Sequence, residues 1–157
     1  MVKLPQEARI ELAKAWGEGY RALAGMHATV VNSGLDHTLK ELIFIRASQI
    51  NGCAFCLDMH TKDARAAGET EQRIFALNAW RDTDFFTEQE RAVLALTEAI
   101  TLLTEGHVPD DVFDDARKHF DEEDLAKVIM AIVLINAWNR TGVTQRKPVG
   151  GYQPPKN

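Results

Sequence analysis

A chain of 157 residues is long enough to bury a core without disulfides or a structural metal. Its 45% hydrophobic and 26% charged residues suit a water-soluble globular protein, and a net charge of −5 argues against a general nucleic-acid binder, which needs an excess of Lys and Arg. No run reaches the roughly 20 apolar residues of a membrane span, and Met1–Glu7 lacks a signal-peptide core, so a cytoplasmic protein without a membrane partner is expected.

Helical signals follow one another along the chain. Pro5 can open a first helix, in which Ile10, Leu12, Ala13, Trp16, Tyr20 and Leu23 recur at helical spacing. Asn32-Ser33-Gly34 breaks it. A second helix is predicted from about Asp36 to Ile50, stopped by Asn51-Gly52, and a third from near Cys53 to Gly68. A fourth opens at Glu69 or Thr70, with Ile74, Phe75, Leu77 and Trp80 on one side. Thr87-x-x-Glu90 is a capping box and starts a fifth, which carries apolar positions as far as Leu103. Pro109-Asp110-Asp111 begins a short sixth. Asp121 caps the seventh, whose stripe of Leu125, Val128, Ile129, Ile132 and Val133 leads to Asn136. Gly142–Asn157 holds three of the five prolines and no period. The expected fold is therefore all-α: one helical domain over 1–142 and an extended or flexible tail over 143–157.

Both cysteines lie in one short segment, and a secreted scaffold would use more, spread along the chain. At such spacing in a reducing compartment they point to redox chemistry or metal binding. Cys53, Cys56 and His60 stand at i, i+3 and i+7 and project from one helix face, with Gly52 supplying the helix start at which a disulfide between residues three apart is sterically possible. A helix N-terminus lowers a thiol pKa, which favours Cys53 as the thiolate. His60 lies one turn beyond Cys56, in reach as a base or ion-pair partner. If the chain reverses at Asn51-Gly52, Glu41 folds back over this face and can hold the imidazole or a water. Cys53, Cys56 and His60 with Glu41 also make four potential zinc ligands, so a metal site remains the competing reading.

Three further groups carry two readings each. Asn136, Asn139 and Arg140 either form a structural network that pins the last helix or line the pocket. Arg46 is expected in a structural ion pair. Trp16, Trp80 and Trp138 are expected as core or interface anchors.

At Glu41, Cys53, Cys56, His60 and Gly68 the chain resembles the alkyl hydroperoxidase D family of the carboxymuconolactone decarboxylase superfamily. The resemblance continues through Ala64-Arg65-Ala66-Ala67-Gly68, Phe86-Thr87-x-x-Glu90-Arg91 and Asn136-Ala137-Trp138-Asn139-Arg140. It implies a thiol peroxidase acting on alkyl hydroperoxides or hydrogen peroxide through a redox-active disulfide. It also implies a homo-oligomer, a trimer or a hexamer built from dimers. Catalytic roles would fall to Glu41, Cys53, Cys56 and His60, with no cofactor and no resident metal. The electrons would come from a dithiol reductant, a lipoyl protein or a thioredoxin-like protein. By the same resemblance Cys56 attacks the peroxide, Cys53 resolves the sulfenic acid, and Glu41, His60 and a water relay the proton. The best-studied branch has a second histidine just before the second cysteine, where this chain has Phe55. Two alternatives stand beside this reading. One is a decarboxylase of the muconolactone type, which does not depend on a CxxC; the other is a non-enzymatic thiol sensor or zinc-binding module.

Overall fold

The computed structural model describes residues 7–155, and every regular element among them is helical. In chain order these are α1 (Leu12–Ala15), α2 (Gly17–Val31), α3 (His37–Asn51), α4 (Ala54–Ala66), α5 (Glu71–Ala76), α6 (Glu88–Thr101), α7 (Asp110–Arg117) and α8 (Glu122–Gln145), with short 3-10 segments at Leu77–Asp82 and Leu103–Glu105. No helix among the described residues is long and apolar enough to cross a membrane.

Local chemistry sets the helix ends. Asp36 accepts the Leu39 N–H at the start of α3, and Asp121 accepts the Asp124 N–H at the start of α8. Thr87 and Glu90 complete the capping box that opens α6. Caps of this kind are each worth about 1 kcal/mol. Gly52 ends α3 in the left-handed conformation, with φ 63°, which glycine adopts without the penalty a Cβ would bring. That single residue turns the chain so that α4 starts at once and doubles back against α3.

α3 is the central element. Leu39 to Ile45, Ala47 and Ser48 are all buried, so the helix is covered nearly all round rather than along one stripe. Ile43, Phe44 and Ala47 join Val128, Ile132 and Ile135 of α8 and Val93 and Leu96 of α6 in one core cluster, which also takes in both cysteines. Leu42 and Ile45 face a second cluster with Leu77, Trp80, Phe86 and Leu94.

Several expectations change. The first predicted helix is two: the chain breaks at Trp16 (φ −145°, ψ 76°), and α2 restarts at Gly17. The indole lies over Gly19, where a Cβ would come within 2.5 Å of the ring. Trp16 is 70% exposed and is no core anchor. Pro5 lies outside the described residues. Phe75 is 76% exposed, while Ile74 of α5 and Leu77 and Trp80 of the 3-10 segment that follows turn inward at every third residue. α6 stops at Thr101, which leaves Leu103 half exposed in the following 3-10 turn. α8 runs on through Gly142 to Gln145, and Arg146 ends it in the left-handed conformation. The residues beyond cross α4: Gly150 N–H donates to Asp58 (3.2 Å), Lys62 Nζ donates to the Tyr152 carbonyl (3.0 Å), and Tyr152 O–H donates to Asp63 (2.7 Å).

Candidate active site

Cys53 is the N-cap of α4, in extended conformation, and its sulfur accepts the Cys56 N–H at 3.4 Å. The sulfur thus takes the place of the oxygen that Ser or Asp supplies at other helix starts. Its own N–H donates to the Ser48 carbonyl at 3.0 Å, which ties the turn to the end of α3. Both cysteines are free thiols, 1% and 2% exposed, with their sulfurs 2.6 Å apart.

These contacts separate the two thiols electrostatically. The Cys56 thiol hydrogen-bonded to Cys53 pushes the Cys53 pKa well below the ordinary thiol value; burial opposes this, while the Cys56 N–H, the Asn139 amide and the charge of His60 add to it. Cys56 is pushed up, by the hydrogen bond to Cys53, by burial and by the negative charge on Cys53. Of the two sulfurs, Cys53 is the one whose surroundings favour the thiolate, first through the Cys56 thiol and then through the N–H at the helix start.

One turn beyond Cys56, His60 Nδ1 lies 2.9 Å from Glu41 Oε2, and both side chains are buried. The Phe44 ring packs against the imidazole at 4.7 Å between centroids. The other Glu41 oxygen faces His37 Nε2 of α3 at 3.8 Å. Glu41 therefore spans α3 and α4 and holds the imidazole on the face that carries the sulfurs.

Two cavities reach the pair from different sides. The smaller, largely apolar one of about 170 Å³ is lined by Phe44, Cys56, His60, Ile135 and Trp138 among others. The larger one of about 400 Å³ is lined by Gly52, Cys53, Arg146, Lys147 and Val149 among others. Phe55, Gly142 and Lys147 belong to the walls of both. No group of three or more His, Cys, Asp or Glu among the described residues is arranged to hold a metal ion.

The four residues singled out from the sequence, Glu41, Cys53, Cys56 and His60, are thus brought together. Asn136, Asn139 and Arg140 line neither sulfur cavity and form a network, from which the Asn139 amide alone also reaches the sulfurs. The Asn51 amide donates to the side-chain oxygens of Asn136 and Asn139, both at 2.9 Å. Asn136 Nδ2 donates to Thr101 Oγ1, Asn139 Nδ2 donates to Ser48 Oγ, and Arg140 donates to Asn136 Oδ1. Arg46 pairs with Glu98 at 2.9 Å. Burial alone would raise the Glu98 pKa, but hydrogen bonds from Trp80, Arg46 and Arg81 more than offset it and hold the carboxyl below its ordinary value. Sequence reasoning missed Lys147 and Gly142. A lone lysine ahead of a proline-rich tail carries no pattern, and a glycine near a helix end reads as a stop rather than as a contact.

The helical scaffold, with a CxxC opening the helix that carries the partner histidine and a glutamate reaching over from the helix before, defines an alkyl hydroperoxidase D-like protein. The chain belongs to the carboxymuconolactone decarboxylase family, whose profile matches residues 17–99. It is 47% identical over 126 residues to the uncharacterized protein YdfG of Bacillus subtilis, covering 80% of this chain and 86% of that one. A structure from Agrobacterium tumefaciens, of a protein of unknown function provisionally assigned to antioxidant defence as an AhpD, superposes with a TM-score of 0.86 at 43% identity, covering 96% of this chain and all of the other. An AhpD-core, peroxidase-related protein from Ralstonia eutropha JMP134 shares the fold with a TM-score of 0.75 at 19% identity, over 88% of this chain and 74% of that one.

Proposed function

We propose that the protein is a thiol-dependent peroxidase that reduces alkyl hydroperoxides or hydrogen peroxide through a reversible Cys53–Cys56 disulfide. The observation that carries this reading is the buried pair of touching sulfurs, one of them the N-cap of α4, on the face where Glu41 holds His60. The antioxidant-defence assignment of the Agrobacterium tumefaciens relative supports it. Muconolactone-type decarboxylation has no use for paired thiols, so the same observation counts against that alternative.

In the proposed cycle a thiolate sulfur attacks the terminal peroxide oxygen. The S–O bond forms, the O–O bond breaks, and the departing alkoxide or hydroxide takes a proton and leaves as alcohol or water. The resulting sulfenic acid is attacked by the second sulfur, which gives the disulfide and a water molecule. A dithiol reductant, such as a lipoyl or thioredoxin-like protein, then returns two electrons and two protons. We assign the attack to Cys56, because it shares the smaller cavity with His60. Its proton leaves by way of His60, which Glu41 holds, and a water. Cys53, on the wall of the larger cavity, then resolves.

Peroxide consumption measured with a panel of reductants (dithiothreitol, dihydrolipoamide, reduced thioredoxin) tests the activity. Turnover with at least one dithiol and loss of both thiols together on one equivalent of peroxide are expected. Two free thiols after peroxide treatment exclude the cycle. A sulfenic-acid probe decides the order: Cys53→Ser is expected to label at Cys56. Labelling confined to Cys53 in the Cys56→Ser protein reverses the assignment. The proposal extends to a homo-oligomer, since Met130 and Val133 on α8 leave apolar side chains exposed; light scattering showing a monomer at micromolar concentration excludes that part.

A further inference from the structure

An anion between two buried sulfurs needs a compensating charge, and the helix start supplies only a partial one. Among the described residues, the titratable groups on the walls of the two sulfur cavities besides the cysteines are Tyr20 and His27 from α2, His60 from α4, and Arg146 and Lys147 after α8. Burial, together with the charges of His60 and Lys40, pushes the His27 pKa down, which leaves it neutral at neutral pH. Arg146 borders only the larger cavity. Lys147 is the one basic side chain common to both.

Its position is fixed by the end of α8. Arg146 turns into the left-handed conformation (φ 55°), and the Lys147 N–H donates to the Gly142 carbonyl at 3.0 Å. The chain then folds back over α4, where the contacts of Gly150 and Tyr152 hold it. Lys147 Nζ comes to rest 3.8 Å above the centre of the Phe55 ring, between the two cysteines in sequence, and the π face favours a cation there. No carboxylate among the described residues pairs with it within ion-pair distance.

We propose that Lys147, seated on Phe55, is the charge partner of the Cys53–Cys56 anion, supplied from the far end of the chain. The electrostatics agree in sign. Burial lowers the Lys147 pKa, and the two cysteines act in the opposite direction. Lys147 in turn lowers the pKa of Cys56. The proposal deepens the peroxidase reading by naming a residue that tunes its nucleophile. It concerns the resting thiolate, so it can fail or hold independently of whether peroxide is the substrate.

The test is therefore run without peroxide. The rate of iodoacetamide alkylation of the fully reduced protein is followed against pH for the wild type, Lys147→Met, Lys147→Arg and Phe55→Leu. Loss of the cation in Lys147→Met is expected to move the lower thiol pKa up by about one unit, the size of shift a nearby opposite charge produces. Alkylation at mildly acidic pH then slows about tenfold, in proportion to the thiolate lost. Lys147→Arg keeps the wild-type profile, and Phe55→Leu, which removes the seat but not the charge, shifts it part of the way. A Lys147→Met profile that superposes on the wild type overturns the proposal. So does a Lys147→Arg profile displaced as far as that of Lys147→Met, which marks a packing role. Should Lys147→Met lower the melting temperature, the Phe55→Leu profile decides, and an unshifted one also overturns it.

Discussion

Glu41 of α3 and His60 of α4 meet at 2.9 Å, and this one contact ties the helix at the centre of the core to the helix that begins at the sulfurs. The imidazole uses Nδ1 for Glu41, which leaves Nε2 for a proton donor or acceptor in the cavity it shares with Cys56. Glu41→Gln keeps a side chain of the same size but removes the charge, and His60→Ala removes the ring. Each is expected to slow peroxide reduction by about 10² to 10⁴, the usual worth of general acid–base help, with circular dichroism unchanged. Unchanged rates in both variants mean that the pair is structural and the thiols act alone.

The opposed pKa shifts of the two cysteines set a pH dependence on stability. Cys53 has a folded pKa below its unfolded value of about 9.0. Between the two values the unfolded chain binds a proton that the folded chain does not, so stability rises with pH across that window. It is fully present above the unfolded value and lost as pH falls through the folded one. Cys56 is shifted the other way, so its contribution is present below the unfolded value and lost above it. The reduced protein is therefore expected to gain stability relative to Cys53→Ser as pH rises toward 9.0. Urea denaturation of the two proteins at several pH values, under reducing conditions, measures the difference. Parallel curves show that Cys53 is not held as the anion.

Asn51 ends α3, and its amide donates to both Asn136 and Asn139 of α8. Asn51→Ala leaves the Asn139 oxygen without that donor in a fully buried position. The loss of a buried hydrogen-bond partner costs about 1–3 kcal/mol, and this is the fall in unfolding free energy expected from urea titration. Asn136 lines neither sulfur cavity, but the Asn139 amide also hydrogen-bonds the cysteine sulfurs and helps to lower the Cys53 pKa, so peroxide turnover per folded molecule is expected to fall together with stability. Unchanged turnover shows that Asn51 holds the fold and leaves the thiols untouched.

What the sequence made legible, and what it did not, follows from how each residue acts. Glu41, Cys53, Cys56 and His60 are legible because helical spacing converts three of them into one face, and Gly52 announces the reversal that brings Glu41 over. The caps Asp36, Thr87 and Asp121 are legible because their side chains act on backbone groups three residues away. Trp16 and Phe75 mislead for the opposite reason. Their spacing fits a helix, but the chain breaks at Trp16, whose ring lies over Gly19, and Phe75 sits on the exposed side of α5 beside the buried Ile74. Lys147 is invisible in the sequence because its partner ring, Phe55, is brought to it by the tertiary fold alone.

Gly142 is the point where α8 comes up against the thiols. A Cβ built there would stand 3.3 Å from Cys53 Sγ and 4.0 Å from Cys56 Sγ. Two effects compete in Gly142→Ala. Alanine is favoured over glycine inside a helix by about 1 kcal/mol, worth a rise of about 2–4 °C in melting temperature for a chain of this size. Against that, the Cys53 sulfur must give way by a few tenths of an ångström, while it caps α4 and touches Cys56. We expect the two effects to cancel nearly in stability but not in reactivity. A misplacement of about 1 Å can cost 10²-fold in rate, so a shift of a fraction of that should cost on the order of tenfold in peroxide reduction. Gly142→Val adds two methyl groups beyond the alanine carbon at a wall common to both cavities and is expected to lose more than Gly142→Ala in both respects. Differential scanning calorimetry and the peroxide rate constant, measured on the same preparations, separate the outcomes. A Gly142→Ala protein that melts higher and reacts at the wild-type rate shows that the sulfur has room to move, and that the close approach of α8 plays no part in setting the thiol geometry.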